Sequence, residues 1–296
     1  MSKPTGFLAP RYWSTWIALG IVHTITCLPY RLQLAFSRLI GTLMYRLAKR
    51  RRTITEHNIA RCLPALDPDA RARLVRQHFR ALGMAFIEIG KSWWSSDKRL
   101  KRRVRIKGME HLQQARERGH GVILLTAHFT TFEIGSRLLS LFTEVDGMYR
   151  PSDNPLIDAV INKHRKQYLE HAILRDDARG MLQSLKNNRL VLTAFDQGYR
   201  GKKMAMVPFF GIDAPTNVAI SRLAEVSKAA VVPFFAERLP GSDGYLLKLQ
   251  PALEDFPTKD AVADATRLNH ILEEEIKCVP EQYIWSHDRF KVVPRD

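Results

Sequence analysis

Cysteine is scarce in this chain of 296 residues. The three that exist, Cys27, Cys62 and Cys278, lie far apart with no Cys-x-x-Cys, which argues against a disulfide framework or a cysteine zinc site and fits a reducing, cytosol-facing location. Other signatures are missing as well. No Gly-x-Ser-x-Gly elbow, Walker-type phosphate loop or His-x-x-x-His core occurs, so the usual serine-hydrolase, nucleotide-binding and zinc-hydrolase readings find no support. No small-x-small cleavage site follows the first apolar stretch, which disfavours a removed signal peptide. Acidic residues are in deficit, 30 against 46 lysines and arginines, for a net charge of +16. That excess points to an anionic partner without choosing between nucleic acid, an acidic protein and lipid headgroups.

What is present begins with a stretch of 19 uncharged residues between Arg11 and Arg31, enough for about 28 Å of helix and close to the hydrocarbon thickness of a bilayer. The spacing suggests an N-terminal membrane-anchor helix flanked by interfacial aromatics (Tyr12, Trp13, Trp16, Tyr30), a buried or interfacial helix being the alternative. Leu32 to Ala48 repeats apolar residues at helical spacing and reads as an amphipathic helix. It closes on Lys49-Arg-Arg-Arg52, far more basic than the Lys3 and Arg11 side, which by the positive-inside rule places the bulk of the chain in the cytoplasm. Residues 1–52 are therefore read as an anchor with an amphipathic helix, and 53–296 as the domain carrying the chemistry.

Residues 53–95 are read as mostly helical, with Asp67 as a cap, and Trp93-Trp94 as packing or an interface anchor rather than a cofactor box. Lys98 to Lys107 holds seven basic residues, a solvated face that can also touch headgroups. From Gly108 onward strands alternate with helices. Strands are expected at Val122–Leu125, Val145–Arg150, Leu190–Phe195, Met204–Val207, Ala230–Phe235 and Tyr245–Leu249, and helices at 109–118, after Asn154-Pro155, and at 177–187, 217–227 and 261–278. The fold class is α/β: a mixed, largely parallel sheet flanked by helices.

One stretch organises the chemistry. The apolar run Val122–Leu125 empties into His128, and Glu133 follows five residues later. On one helix the two side chains would sit about 140° apart and could not meet. With His128 in the turn after a strand and Glu133 in the first turn of the next helix they can, and a histidine oriented by a carboxylate is a general base. The alternative is a histidine merely satisfied by a nearby carboxylate at a helix start.

Taken together, Ala127-His-Phe-Thr-Thr-Phe-Glu-Ile-Gly135, Tyr149-Arg-Pro-x-x-Asn-Pro155, Arg175-Asp-Asp-x-Arg-Gly180, Asp196-Gln197, Val207-Pro-Phe-Phe-Gly211 and Glu281-Gln-Tyr-Ile-Trp285 closely resemble the late acyltransferases of lipid A biosynthesis, the lauroyl/myristoyl type within the glycerolipid acyltransferase superfamily. Gly198, Arg200 and His164-Arg-Lys166 depart from that pattern, on the acceptor side. The resemblance implies an enzyme of the bacterial inner membrane that moves a fatty acyl group from acyl carrier protein to a hydroxyl of a lipid A precursor, without metal or cofactor. It implies His128 as general base with Glu133 orienting it, and Arg150, Asn154, Asp196, Gln197 and Arg175 as substrate-binding. Arg150 is the first choice for meeting developing negative charge or acceptor phosphates, the amides at the start of the Thr131 helix the second. For Asp196 a strand-end carboxylate capping a loop is an equal alternative. An acyl-chain pocket is expected among the helices beyond His128. Two rival readings stand beside this one: a related enzyme acting on a lysophospholipid, ornithine lipid or glycosylated phosphoinositol, and a non-enzymatic basic protein binding membrane or nucleic acid. No nucleic-acid-binding signature favours the last.

Overall fold

The structure is a computed structural model that describes residues 4–197 and 204–291; Lys3, Gly198 and Arg200 lie outside them. Among the described residues, two short 3-10 turns lead into five α-helices: α1 (Trp13–Cys27), α2 (Tyr30–Leu47), α3 (Lys49–Cys62), α4 (Pro68–Trp94) and the short α5 (Asp97–Lys101). The α/β body runs β1 (Val104–Lys107), α6 (Met109–Glu117), β2 (Val122–Thr126), α7 (Phe132–Leu139), β3 (Asp146–Tyr149), α8 (Pro155–Arg165), β4 (Ala172–Leu174), α9 (Ala178–Lys186) and β5 (Leu190–Ala194). It continues with β6 (Met204–Phe209), β7 (Ile212–Asn217), α10 (Ala219–Ser227), β8 (Ala230–Arg238), β9 (Tyr245–Leu249) and α11 (Ala261–Cys278).

Seven strands form one sheet in the order β1-β9-β8-β2-β5-β3-β4. Every neighbouring pair is parallel except β8 with β9. Central β2 is apolar at every position but the last because both of its faces are covered. Ile123 and Leu125 face a core built with α3, α4, α9, α10 and α11, while Val122 and Leu124 face α6 and α7. The β2–β5 register pairs Val122 with Leu190 and Thr126 with Ala194, so the two strands end side by side. β6 and β7 form a separate antiparallel hairpin, of which the apolar pattern marks only the first strand. Its two-residue turn is Phe210-Gly211, both at positive φ (51° and 74°), the backbone that such tight hairpins require. Pro215 conceals the second strand, since proline is admitted only at an unpaired edge.

The expected membrane-spanning anchor is not found. Among the described residues no helix is long and apolar enough to cross a membrane. The uncharged stretch is broken at Leu28-Pro29, and proline cannot supply the amide a continuous helix needs there. α1 is left with 15 residues, about 22 Å. The expected domain boundary at 52/53 falls inside α3.

Helix α2 is amphipathic, but the residues that it buries are small or polar ones, while its arginines stay outside with its leucines. Gln33, Ser37 and Gly41 are buried, and Gln33 donates to the Thr26 and Leu28 carbonyls across the break, each at 2.9 Å. A Cβ on Gly41 would collide with the Phe79 carbonyl, and one on Gly83 with the Ser37 carbonyl, so α2 and α4 meet backbone to backbone. Outward from this seam Leu32, Phe36, Leu39, Leu43 and Leu47 are exposed, beside Trp13, Ile17 and Ile21 of α1.

Helix α4 also carries His78, which is fully buried. Its Nδ1 lies 3.3 Å from the Glu281 carbonyl and its Nε2 has no partner among the described residues. Burial pushes its pKa down to about 4. Between the ordinary value near 6.5 and about 4 the unfolded chain binds a proton that the folded chain refuses, so stability falls as pH falls through that window. A His78→Phe variant should show a flatter dependence of Tm on pH between 6.5 and 4 than the parent, whose loss there is up to about 3 kcal/mol; differential scanning calorimetry checks this.

Candidate active site

Strand β2 delivers His128 into a turn at its C-terminal end, where open α/β sheets place their sites. A short segment near the C-terminus holds that turn in place. Thr130 donates its amide to the Gln282 carbonyl at 2.7 Å, Ile284 donates to the His128 carbonyl at 3.0 Å, and Phe129 pairs with Tyr283 in an antiparallel bridge. Asn58 of α3 anchors the same segment by donating to the Trp285 and His287 carbonyls at 2.8 and 2.7 Å. The turn then enters α7, which sits so close to β8 that a Cβ at Gly135 would overlap the Cβ of Ala236.

From the adjacent strand β5 the chain continues to Asp196, which is 1% exposed. Its Oδ1 accepts from the His128 amide at 3.0 Å and lies 2.7 Å from His128 Nδ1. Its Oδ2 accepts from the Tyr283 hydroxyl at 3.2 Å. Burial alone would raise this carboxyl's pKa, but His128 and Arg289 outweigh it and hold the group below the ordinary range. The His128 side chain is 31% exposed, Phe132 stacks on it at 5.7 Å, and Nε2 makes no hydrogen bond among the described residues. A tautomer with the proton on Nδ1 and a free, basic Nε2 is what such an arrangement favours.

Glu133 does sit in the first turn of α7, as the spacing requires, yet its carboxylate does not orient His128. Arg165 of α8 grips it through two nitrogens, at 3.1 and 2.5 Å, and Tyr168 donates to it at 2.7 Å. The largely buried carboxylate is thereby kept below its ordinary pKa against its own desolvation, while burial and the Glu133 charge push the Tyr168 phenol up. A guanidinium and a phenol satisfy Glu133 more completely than one imidazole could. Close to this pair Trp93 stacks flat on His164 at 5.2 Å, which makes the tryptophan pair part of the packing around α8.

The remaining sequence candidates lie elsewhere. Arg150 is exposed and pairs with Asp153 at 3.4 Å. It shares an open cleft of about 590 Å³ with Arg175. Asn154 caps α8 by accepting from the Leu156 and Ile157 amides, and donates to Thr15 of α1 at 3.1 Å. Gln197 is half-buried next to Asp196. Beyond His128 the apolar gaps are only about 10 Å³ each, whereas a groove of about 600 Å³ opens between α9 and α10, with Met148, Met181, Thr193, Ile220 and Leu223 among its walls. That groove is far roomier than the gaps beside His128, but it holds no histidine; the candidate site is chosen on the histidine–carboxylate pair and not on volume. Sequence reasoning assigns no part to Arg165, Tyr168 or Tyr283. Tyr283 lies within the Glu281–Trp285 motif, but nothing in that motif says which way its hydroxyl points.

A histidine whose Nδ1 is held by a buried carboxylate, at the C-terminal edge of a largely parallel sheet, has the geometry that general-base chemistry on a hydroxyl uses. Comparison with known proteins gives the particular family. The model of the bacterial lipid A biosynthesis acyltransferases matches residues 1–292, and the chain belongs to that family. It is 35% identical to the lipid A biosynthesis lauroyltransferase of Escherichia coli (strain K12) over 98% of its own length and 95% of that protein's. It is 34% identical to the palmitoleoyltransferase of the same strain over 97% and 94% of the two chains, and 25% identical to the myristoyltransferase over 94% and 87%.

Removing Arg165 leaves the Glu133 carboxylate buried without its cation, a change that typically costs about 3–5 kcal/mol. Arg165→Met should therefore lower the unfolding free energy by about that amount, and Arg165→Met combined with Glu133→Gln should recover much of it. Denaturant titration of the three proteins decides the matter.

Proposed function

We propose that this protein transfers a fatty acyl group from acyl carrier protein to a hydroxyl of a lipid A precursor, with His128 as general base and Asp196, in place of Glu133, as its orienting carboxylate. The observation that carries the mechanism is the 2.7 Å contact between His128 Nδ1 and a buried Asp196 that is kept ionised. His128 Nε2 takes the proton of the acceptor hydroxyl as its oxygen attacks the thioester carbonyl. The carbon–sulfur bond then breaks, and the proton passes from the imidazolium to the departing thiolate, so that hydroxyl and thioester become ester and thiol. Asp196 stabilises the transient imidazolium. Glu133 plays a different part, fixing Arg165 and the end of α8 beside the reacting loop. Arg150 and Arg175, across their shared cleft, are placed to meet phosphates of the acceptor.

Membrane association enters the reading through α1 and α2. Their exposed apolar residues alternate with Arg31, Arg38 and Arg46, the make-up of helices that lie within the headgroup layer rather than cross the bilayer. The protein is thus proposed to rest on the anionic cytoplasmic face of the inner membrane. Its positive charge also suits an acidic carrier protein.

His128→Ala and Asp196→Asn should each reduce acyl transfer from an acyl carrier protein donor to a lipid A precursor by at least about 10²-fold, the scale of positioned general-base catalysis. Full activity in both would sink the assignment, and mass spectrometry of the product identifies the acylated lipid. A Leu39→Glu/Leu43→Glu variant should fail to float with vesicles containing anionic phospholipid, while the parent floats and is released as salt is raised.

A further inference from the structure

Of the two oxygens of Asp196, only Oδ1 is accounted for by the His128 reading. Oδ2 is buried, and its one hydrogen-bond donor among the described residues is the hydroxyl of Tyr283, at 3.2 Å. Tyr283 is 2% exposed and is held on every side. Its ring meets Phe129 at 5.6 Å and Trp285 at 5.0 Å. Its chain neighbours Gln282 and Ile284 bond to Thr130 and His128, so the phenol is attached to the very loop that carries the base. The Gln282 side chain adds a two-point grip on β8, accepting from the Arg238 amide at 2.8 Å and donating to its carbonyl at 2.9 Å. A phenol this constrained can neither rotate away from Asp196 nor follow it if it moves.

We infer that Tyr283 is a positioning residue that fixes the rotation of the Asp196 carboxylate and, by drawing charge from it, sets the basicity of His128. The inference rests on the general-base reading of His128. Other charged and titratable groups act on the pair, Arg289 and His287 on Asp196 and Cys62 of α3 on Tyr283; all of them are retained in the variants that test the role. Losing the donor leaves Asp196 with more charge for the imidazolium, so the free base appears only at higher pH.

The test compares the full-length parent with Tyr283→Phe, in detergent, measuring kcat and KM for an acyl carrier protein donor and a lipid A precursor between pH 5 and 9. We expect kcat to fall about tenfold with KM within about twofold, and the acid limb of the profile to move up by about half a pH unit. Incorporating 3-fluorotyrosine at position 283 keeps the size and makes the phenol a stronger donor, so the same limb should move down; this arm decides the question even where Tyr283→Phe does not fold. An acid limb unmoved by the fluorinated residue overturns the role, as does a Tyr283→Phe variant whose only change is a lower Tm. A parent with no acid limb at all overturns the general-base reading itself, and this inference with it.

Discussion

Two adjacent parallel strands that end at the same level are the constraint on which the site depends. In the register of β2 with β5, Thr126 stands beside Ala194, and two residues further along each chain come His128 and Asp196. Parallel neighbours that end level bring residues some 70 positions apart in sequence into hydrogen-bonding range just beyond the strand ends. The price is that both partners leave the sheet at its rim, where nothing in β2 or β5 can cover them. The C-terminal segment around Tyr283 supplies that cover: it adds backbone bonds to the His128 turn and a hydroxyl to the Asp196 carboxylate. A site built from the 120s and 190s is therefore incomplete without the 280s.

Much of the architecture is legible because the signals behind it are local. Val122–Leu125 reads as a doubly buried strand, Asn154-Pro155 as a helix start, and 261–278 as a helix, and each stands where periodicity and capping chemistry put it. Placing His128 in a turn and Glu133 on a helix also follows from spacing alone. Their contact does not, because a side chain's partner is settled by competition among all groups that the fold brings near. Asp196 is 68 residues from His128 and Arg165 is 32 from Glu133. No local pattern announces such pairs, and with 46 lysines and arginines in the chain, composition cannot single out the one that meets Glu133.

The two carboxylates near the site show how environment divides labour between similar groups. Asp196 is buried, Glu133 is largely so, and both are kept ionised, but by different partners. Glu133 is neutralised by a guanidinium that keeps its charge throughout the working range, which makes it a fixed structural anion. Asp196 faces an imidazole, a group that can both take up and release a proton, so its own electrostatic balance shifts whenever His128 does so. In the proposed mechanism only the second arrangement takes part in the proton transfer. That difference, rather than distance along the chain, is the reason to assign the orienting role to Asp196.

The N-terminal helices follow the same logic of competition. A charge-free stretch of 19 residues is long enough to span, yet it contains Leu28-Pro29, and the chain turns there. Once it has turned, α2 has two faces to offer to α4, one apolar and one made of Gln33, Ser37 and Gly41. The small and polar face wins because glycine at 41 and 83 lets the two backbones approach, and because Gln33 finds two carbonyls left open at the break. Five large apolar side chains are displaced outward as a result. In water that exposure is unfavourable by about 25 cal/mol for every Å² left wet; in the headgroup region of a bilayer it is relieved. The packing that turns the chain at Leu28-Pro29 is thus the same packing that leaves the apolar surface on which the proposed membrane contact rests.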